Sequence, residues 1–177
     1  MRGTKSGSGV AFSPASEAGK LIEQARNQLL QARAVASVDP CWYEWMLRIA
    51  MWQARPEAEY RTLLDEALAK HPEHLSSYTA AIDHYSPRWG GSSQAIESFA
   101  QSASSKLPPA KRNAMYARLY DYVFQEHFTT LAESQVNCRR WLSCNDEIAA
   151  AYPTSYNFNM AAGAAAGYLA ANPSATA

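Results

Sequence analysis

The chain lacks a net charge, a long apolar run and a cysteine framework. Its 16 Lys and Arg side chains balance 16 Asp and Glu side chains, which argues against a general nucleic-acid binder. The longest uncharged apolar stretch, residues 160–171, has twelve residues, whereas a membrane span needs about 20. Three cysteines without CxxC spacing indicate neither a disulfide framework nor a zinc site. We therefore expect a soluble, cytoplasmic protein that binds neither nucleic acid nor membrane.

Catalytic and cofactor motifs are also lacking. His71 and His74 are close in sequence, but one precedes a predicted helix, the other lies in its first turn, and no third ligand is suitably spaced. We therefore expect no metal and no cofactor, and enzymatic activity is the less favoured alternative.

Prolines recur at an even stride, since Pro40, Pro56 and Pro72 stand sixteen residues apart. Apolar residues then repeat every three or four positions, and proline suits a first helical turn because its missing N–H would be unpaired there. Helices of three to four turns joined by short loops pack as antiparallel neighbours. The pattern predicts an all-α fold of antiparallel helical hairpins stacked as a short right-handed solenoid.

The periodicity predicts eight helices in a single domain, 13–177, after a flexible leader, 1–12. The helices are expected over 13–35, from Pro40 to about 52, from Pro56 to about 70, and over 75–85, 92–106, 110–127, 135–152 and 155–171. No segment alternates as a half-buried strand would. The stripes place four residues in the core: Trp45, Leu64, Ala95 and Phe99.

Two of these helices carry small and large side chains at a regular helical spacing, followed by a proline after the helix. The first set is Tyr60, Leu64, Ala67 and Pro72, and the second is Ala95, Phe99, Ser102 and Pro108. A small residue lets helices approach, a larger one fills the groove, and proline ends the unit. The pattern resembles the second helix of a tetratricopeptide repeat, whose period is about 34 residues. The resemblance implies a tetratricopeptide-like solenoid.

A second resemblance rests on Asp39-Pro40 with its aromatic cluster and on the segment Pro-Arg-Trp-Gly-Gly-Ser at 87–92. These features, from Asp39 to about Ala103, are similar to a bacterial domain family of unknown function. The family brings no settled activity, so the resemblance implies a fold.

The loop from Arg88 to Ser92 admits two interpretations. Backbone N–H groups of Gly90 and Gly91, together with Arg88, could hold a carboxylate or phosphate near a helix start. In the favoured interpretation the glycines supply unusual backbone conformations, Ser92 caps the next helix, and Trp89 plugs the junction between the fourth and fifth helices.

The favoured function is a protein-binding helical-repeat module, acting as a bacterial adaptor or a specific inhibitor, for example an immunity-type protein against a cognate toxin. The candidate contact residues are Tyr43, Glu44, Tyr78, Asp83 and Arg88. Residues 39–107 hold nine acidic and six basic side chains, which favours a basic partner. The alternatives are a small-molecule binder or enzyme that uses the Arg88–Ser92 loop, and a self-associating structural protein.

The C-terminal thirty residues, 148–177, contain no charged side chain. Gly163 and Gly167 stand four apart, beside Tyr168, and leave a helix surface with little bulk that permits close approach of another helix. The pattern predicts that this helix either packs inward between earlier helices or forms a homodimer surface.

Overall fold

The computed structural model describes residues 11–128 and 130–172. This part of the chain is all-α, as predicted, and contains no strand. Nine α-helices follow one another in it: α1 (Glu17–Gln31), α2 (Arg33–Ala36), α3 (Pro40–Trp52), α4 (Glu57–Lys70), α5 (Leu75–Tyr85), α6 (Ser93–Ser105), α7 (Pro109–Glu126), α8 (Cys138–Ala151) and α9 (Ser155–Ala171). Two 3₁₀ helices, Pro87–Trp89 and Leu131–Glu133, lie between them. Among these helices none is long and apolar enough to cross a membrane.

The chain forms two compact units, of which the first ends at Gly91. The first unit holds α1 to α5, and the second holds α6 to α9. The single domain expected over 13–177 stays a prediction. Most of the predicted leader, 1–10, lies outside the described residues. At the end of the predicted leader, the backbone N–H of Phe12 donates to the carbonyl oxygen of Trp52 at 2.9 Å.

Most of the predicted helix starts are confirmed. Pro40 is the first residue of α3, and the Asp39 carboxylate caps this helix by accepting from the backbone N–H of Cys41 at 2.8 Å. Ser92 caps α6 by accepting from the backbone N–H of Ala95 at 3.0 Å. These side chains satisfy N–H groups that have no partner within the helix, which is why they mark its beginning.

The first predicted helix is wrong in its start and in its continuity. Ser16, not Ser13, caps α1, because its hydroxyl accepts from the backbone N–H of Gly19 at 3.0 Å. Ser13 lies in the preceding turn, and a Cβ on Gly19 would stand 2.0 Å from its carbonyl oxygen. Glycine is thus required for this close approach. The helix ends at Gln31, and the four residues of α2 follow as a separate turn.

Helix α3 is the centre of the first unit. It packs against α1, α4 and α5, and α4 also packs against α5. Because neighbours contact α3 from several sides, its buried residues do not form one stripe: Trp42, Tyr43, Met46, Leu47, Ile49 and Met51. The expectation that Trp45 is buried is therefore wrong, since it is 51% exposed. The burial of Leu64 on α4 is confirmed.

In the second unit each helix packs against the next, α6 on α7, α7 on α8 and α8 on α9. The core face of α6 is shifted by about one residue from the predicted stripe. Ala95 and Phe99 are only half-buried and Ser102 is exposed, whereas Ile96 and Ala100 are fully buried. The prediction that Ala95 and Phe99 are buried is therefore wrong, because the buried positions each lie one residue later.

Helix α3 ends in a turn that usually needs glycine. Ala54 has a φ of 47°, in the left-handed region where a Cβ is crowded. Its N–H donates to the carbonyl of Met51, and the N–H of Arg55 donates to that of Ala50 at 2.9 Å. This pair of bonds is the Schellman motif, in which the residue at this position is ordinarily glycine.

We predict that Ala54→Gly raises the free energy of unfolding by up to about 1 kcal/mol, because it removes the left-handed strain and keeps both bonds. The control Ala58→Gly, in the first turn of α4, should lower it by a similar amount. Chemical denaturation measures both. A lower stability for Ala54→Gly would contradict the assignment of strain to this turn.

Candidate functional site

The first unit carries an open groove of about 410 Å³ between α1, α3 and α4. Its lining combines an apolar floor with charged walls: Arg26, Leu30, Arg33, Trp42, Met46, Ala50, Arg55, Ala58, Glu59, Thr62, Leu63 and Glu66. The volume lies within the range of about 300–1,000 Å³ that is typical of ligand sites.

The floor of the groove comes from α3. Trp42, Met46 and Ala50 follow one another at intervals of four residues, so they lie along one face of the helix. Trp42 is 3% exposed, and its indole N–H donates to the carbonyl oxygen of Leu29 at 2.8 Å. This bond ties the end of α1 to α3 and so shapes one side of the groove.

The first wall comes from α1 and the first residue of α2. Arg26 and Leu30 lie four residues apart on one face of α1, and Arg33 begins α2. The guanidinium carbon of Arg33 lies 5.6 Å from the centroid of the Trp42 ring, a cation–π distance. Arg26 lies 3.8 Å from the carboxylate of Glu23, which is too long for a hydrogen bond.

The second wall comes from α4 and the turn before it. Glu59, Thr62 and Glu66 are spaced by three and four residues and share one face of α4, and Arg55 lies in the turn before this helix. Arg55 donates from two nitrogens to one oxygen of Glu59, at 2.7 and 3.0 Å. Their side chains are 37% and 53% exposed, and an exposed pair of this kind contributes about 1 kcal/mol or less.

Glu66 is the most strongly held carboxylate of the groove. It accepts from the Tyr43 hydroxyl at 2.8 Å, from Lys70 Nζ at 3.1 Å and from Arg33 at 2.7 Å. The hydrogen bond from Tyr43, followed by those from Lys70 and Arg33, lowers the pKa of Glu66 to about 2. Two cations therefore share this single carboxylate, and the lining of the groove as a whole carries three arginines against two glutamates.

The predicted contact residues lie mostly outside the groove. Tyr43 and Tyr78 are 0% and 2% exposed, so the expectation that they lie on the surface is wrong. The Tyr78 hydroxyl donates to the carbonyl oxygen of Pro72 at 2.6 Å. Glu44 and Asp83 instead flank Arg48, at 3.2 and 2.9 Å, and form an ion-pair cluster with it.

The geometry of the Arg88–Ser92 loop supports the interpretation in which its glycines supply unusual backbone conformations. Gly90 has a φ of 88°, as predicted for one of the two glycines, and a Cβ on Gly91 would stand 2.0 Å from the Tyr85 carbonyl oxygen. The N–H groups of Trp89, Gly90 and Gly91 all donate to carbonyls within 86–87. These donors are thus committed inside the loop rather than directed at an anion. Arg88 is exposed and Trp89 half-buried.

Helix α9 packs on α8 and on the 3₁₀ helix Leu131–Glu133 along one face only. Of its side chains described, Ala164 alone is buried, so the alternative in which this helix packs inward is wrong. Gly163 faces open space, whereas a Cβ on Gly167 would contact Leu131 at 3.9 Å. Tyr168 is half-buried. Three large side chains of this helix are exposed: Tyr156, Phe158 and Leu169.

The second unit holds a buried cluster of polar side chains around one carboxylate, which no sequence pattern indicated. Glu97 on α6 is 5% exposed and accepts from the hydroxyls of Tyr116, at 3.1 Å, and of Tyr120, as well as from Gln101. Tyr116 also accepts from the backbone N–H of Asn137 at 3.1 Å. Burial raises the pKa of both tyrosines. Since these donors satisfy the carboxylate, the cluster ties α6 to α7.

Metal chemistry has no candidate centre in residues 11–128 and 130–172, where no three His, Cys, Asp or Glu side chains form a group that could hold an ion. His74 instead lies 3.1 Å from the Ser77 hydroxyl through Nδ1. Cys41 is exposed and Cys144 buried, and both are free thiols.

Part of the chain matches a known family. Residues 53–120 match a domain of unknown function, DUF4034, which is less than half of the 177 residues and runs from the end of α3 into α7. The comparisons with curated proteins and with solved structures give no match. An uncharacterised domain family is thus shown for this segment. The tetratricopeptide pattern and the Pro-Arg-Trp-Gly-Gly-Ser motif stay predictions.

Asp121 on α7 is a second buried carboxyl, and it accepts from the Trp141 indole N–H at 3.3 Å. Burial raises its pKa from 3.8 to about 6, against the lowering effects of Trp141, Arg118 and Asn145. Because the folded pKa lies above the unfolded value, the unfolded chain ionises first as pH rises. Stability is therefore lost between about pH 4 and 6.

We predict that Asp121→Asn flattens this slope, because the amide keeps an acceptor for the Trp141 N–H and carries no charge. Relative to the native chain, the variant should gain roughly 1–3 kcal/mol of stability between pH 4 and pH 7. Urea unfolding at a series of pH values measures this difference. The same slope in both proteins would show that Asp121 is not the group responsible.

Proposed function

We propose that the chain is a protein-binding helical module that acts as an adaptor or a specific inhibitor. The observation that carries the proposal is the open groove between α1, α3 and α4, with an apolar floor and charged walls. An apolar groove rimmed by polar groups is the surface into which a partner helix or side chain docks. The paired arginines and glutamates of the walls make a charged rim, the usual anatomy of an interface.

We propose further that the first unit is tetratricopeptide-like and part of a right-handed solenoid. Its packing supports this, because α3 contacts both α4 and α5, and α4 contacts α5, the neighbour pattern of stacked helical pairs. The bacterial setting is proposed from the sequence resemblance, and the cytoplasmic setting from the three cysteines without CxxC spacing. An immunity-type protein against a toxin is one example of such an inhibitor.

The small-molecule or enzyme alternative is less well supported. The loop proposed for it directs its N–H groups at its own carbonyls. The volume of the groove would suit a small ligand, but its charged groups bond to one another along the walls, Arg33 to Glu66 and Arg55 to Glu59. Such an arrangement favours a broad contact surface over a convergent catalytic centre.

Self-association through α9 is a separate proposal. Tyr156, Phe158 and Leu169 are 62%, 54% and 42% exposed, and Gly163 leaves open space on the same helix. A surface without charge can meet a second copy of itself without like-charge repulsion.

We predict that a photo-reactive benzoylphenylalanine at Ala58 cross-links the chain to another protein in its native host, because Ala58 lines the groove and is exposed. The matched control is the same residue at Ala69, which is exposed on the same helix and does not line the groove. A third position, Gly163, reports on α9 and should cross-link two copies if that surface self-associates. Mass spectrometry identifies the products. Absence of any cross-link to another protein, at every position tested, would contradict the proposed function.

A further inference from the structure

The charges of the groove walls are unequal, and this inequality points to the partner's chemistry. Among the lining residues three are arginines, Arg26, Arg33 and Arg55, and two are glutamates. Glu66 is shared by Arg33 and Lys70, so one carboxylate serves two cations. Arg26 lies 3.8 Å from its nearest carboxylate, beyond hydrogen-bond distance. The guanidinium groups therefore keep donors that an incoming carboxylate can use.

Two of these arginines are also accessible. The side chains of Arg33 and Arg55 are 50% and 37% exposed, and each uses only part of the five N–H donors of a guanidinium on its glutamate. Because exposed ion pairs are weak, a ligand carboxylate can join or replace the present partner at little cost. Bidentate recognition of a carboxylate is what the planar guanidinium favours.

The floor between these arginines is apolar. Trp42, Met46 and Ala50 form it, and Leu30 and Leu63 lie beside it on the walls, so the occupant must present apolar side chains to the centre and acidic groups to the edges. The described residues contain no strand that could pair with an extended segment. Among the common modes of peptide recognition, the insertion of an amphipathic helix is the one that uses an apolar groove between helices.

We infer that the groove binds an amphipathic helix of a partner protein, with apolar side chains on one face and Asp or Glu beside them. The inference rests on the proposed protein-binding function and names its surface. It also reverses the expectation of a basic partner, which followed from the acidic excess of residues 39–107. A partner in the groove interacts with the charges that line it, and not with the net charge of residues 39–107.

The test uses two synthetic 18-residue helical peptides with the same leucine positions and either Glu or Lys at all other exposed positions. Fluorescence anisotropy with the full chain should show that the Glu peptide binds at least about tenfold more tightly than the Lys peptide, and less tightly as salt rises. Equal affinity for both peptides, or binding of neither, would overturn the inference.

Two variants locate the binding site. Ala58→Trp fills the groove from an exposed position and should lower the affinity for the Glu peptide at least about tenfold, whereas Ala69→Trp on the same helix should leave it unchanged. Arg55→Gln should weaken binding, while Arg61→Gln, whose side chain pairs with Glu57 in the same spacing of four outside the groove, should not. Affinity that is indifferent to both Ala58→Trp and Arg55→Gln would overturn the inference.

A partner cross-linked at Gly163 but not at Ala58 would leave the proposed function standing and refute only the groove. If decanoate bound and neither peptide competed with it, a helical partner would likewise be rejected in favour of a small amphipathic acid. The thermal stability of each variant, measured alongside, shows whether the groove itself is intact.

Discussion

The contact of Trp42 with α1 is the interaction on which the groove depends. Its buried indole donates to the Leu29 carbonyl at 2.8 Å, while its ring lines the groove and lies beneath Arg33. Helix α1 buries only Gly19 of its own residues, so it contributes little apolar area that could hold it elsewhere. The directed hydrogen bond from this large apolar ring thus helps to hold the first wall against the floor.

The second constraint is the polar cluster around Glu66, which joins the two walls. Tyr43 reaches it from the floor helix, Lys70 from its own helix and Arg33 from the first wall. A carboxylate whose pKa lies at about 2 stays ionised at every physiological pH. Arg33 and Lys70 therefore face a negative charge at every physiological pH.

Local signals allowed the helices to be predicted, but packing decided which residues are exposed. Pro40 and Ser92 mark helix starts because caps act within one turn. Tyr43 and Trp45 exchanged their expected positions because α3 is covered by three other helices, so no single stripe describes its core. Glu97 is buried because tyrosines of a later helix donate to it. The groove draws on residues of α1, α2, α3 and α4, and the spacing of residues within one helix does not show which helices pack together.

Hydrogen–deuterium exchange of the full chain, free and bound to its cross-linked partner, tests the central claim most directly. The backbone amides of α4 and of the C-terminal half of α1 flank the groove, so a bound helix should slow their exchange. Exchange in α9 should be unchanged. Slower exchange confined to α9, or to the Arg88–Ser92 loop, would contradict the claim that this groove is the binding surface.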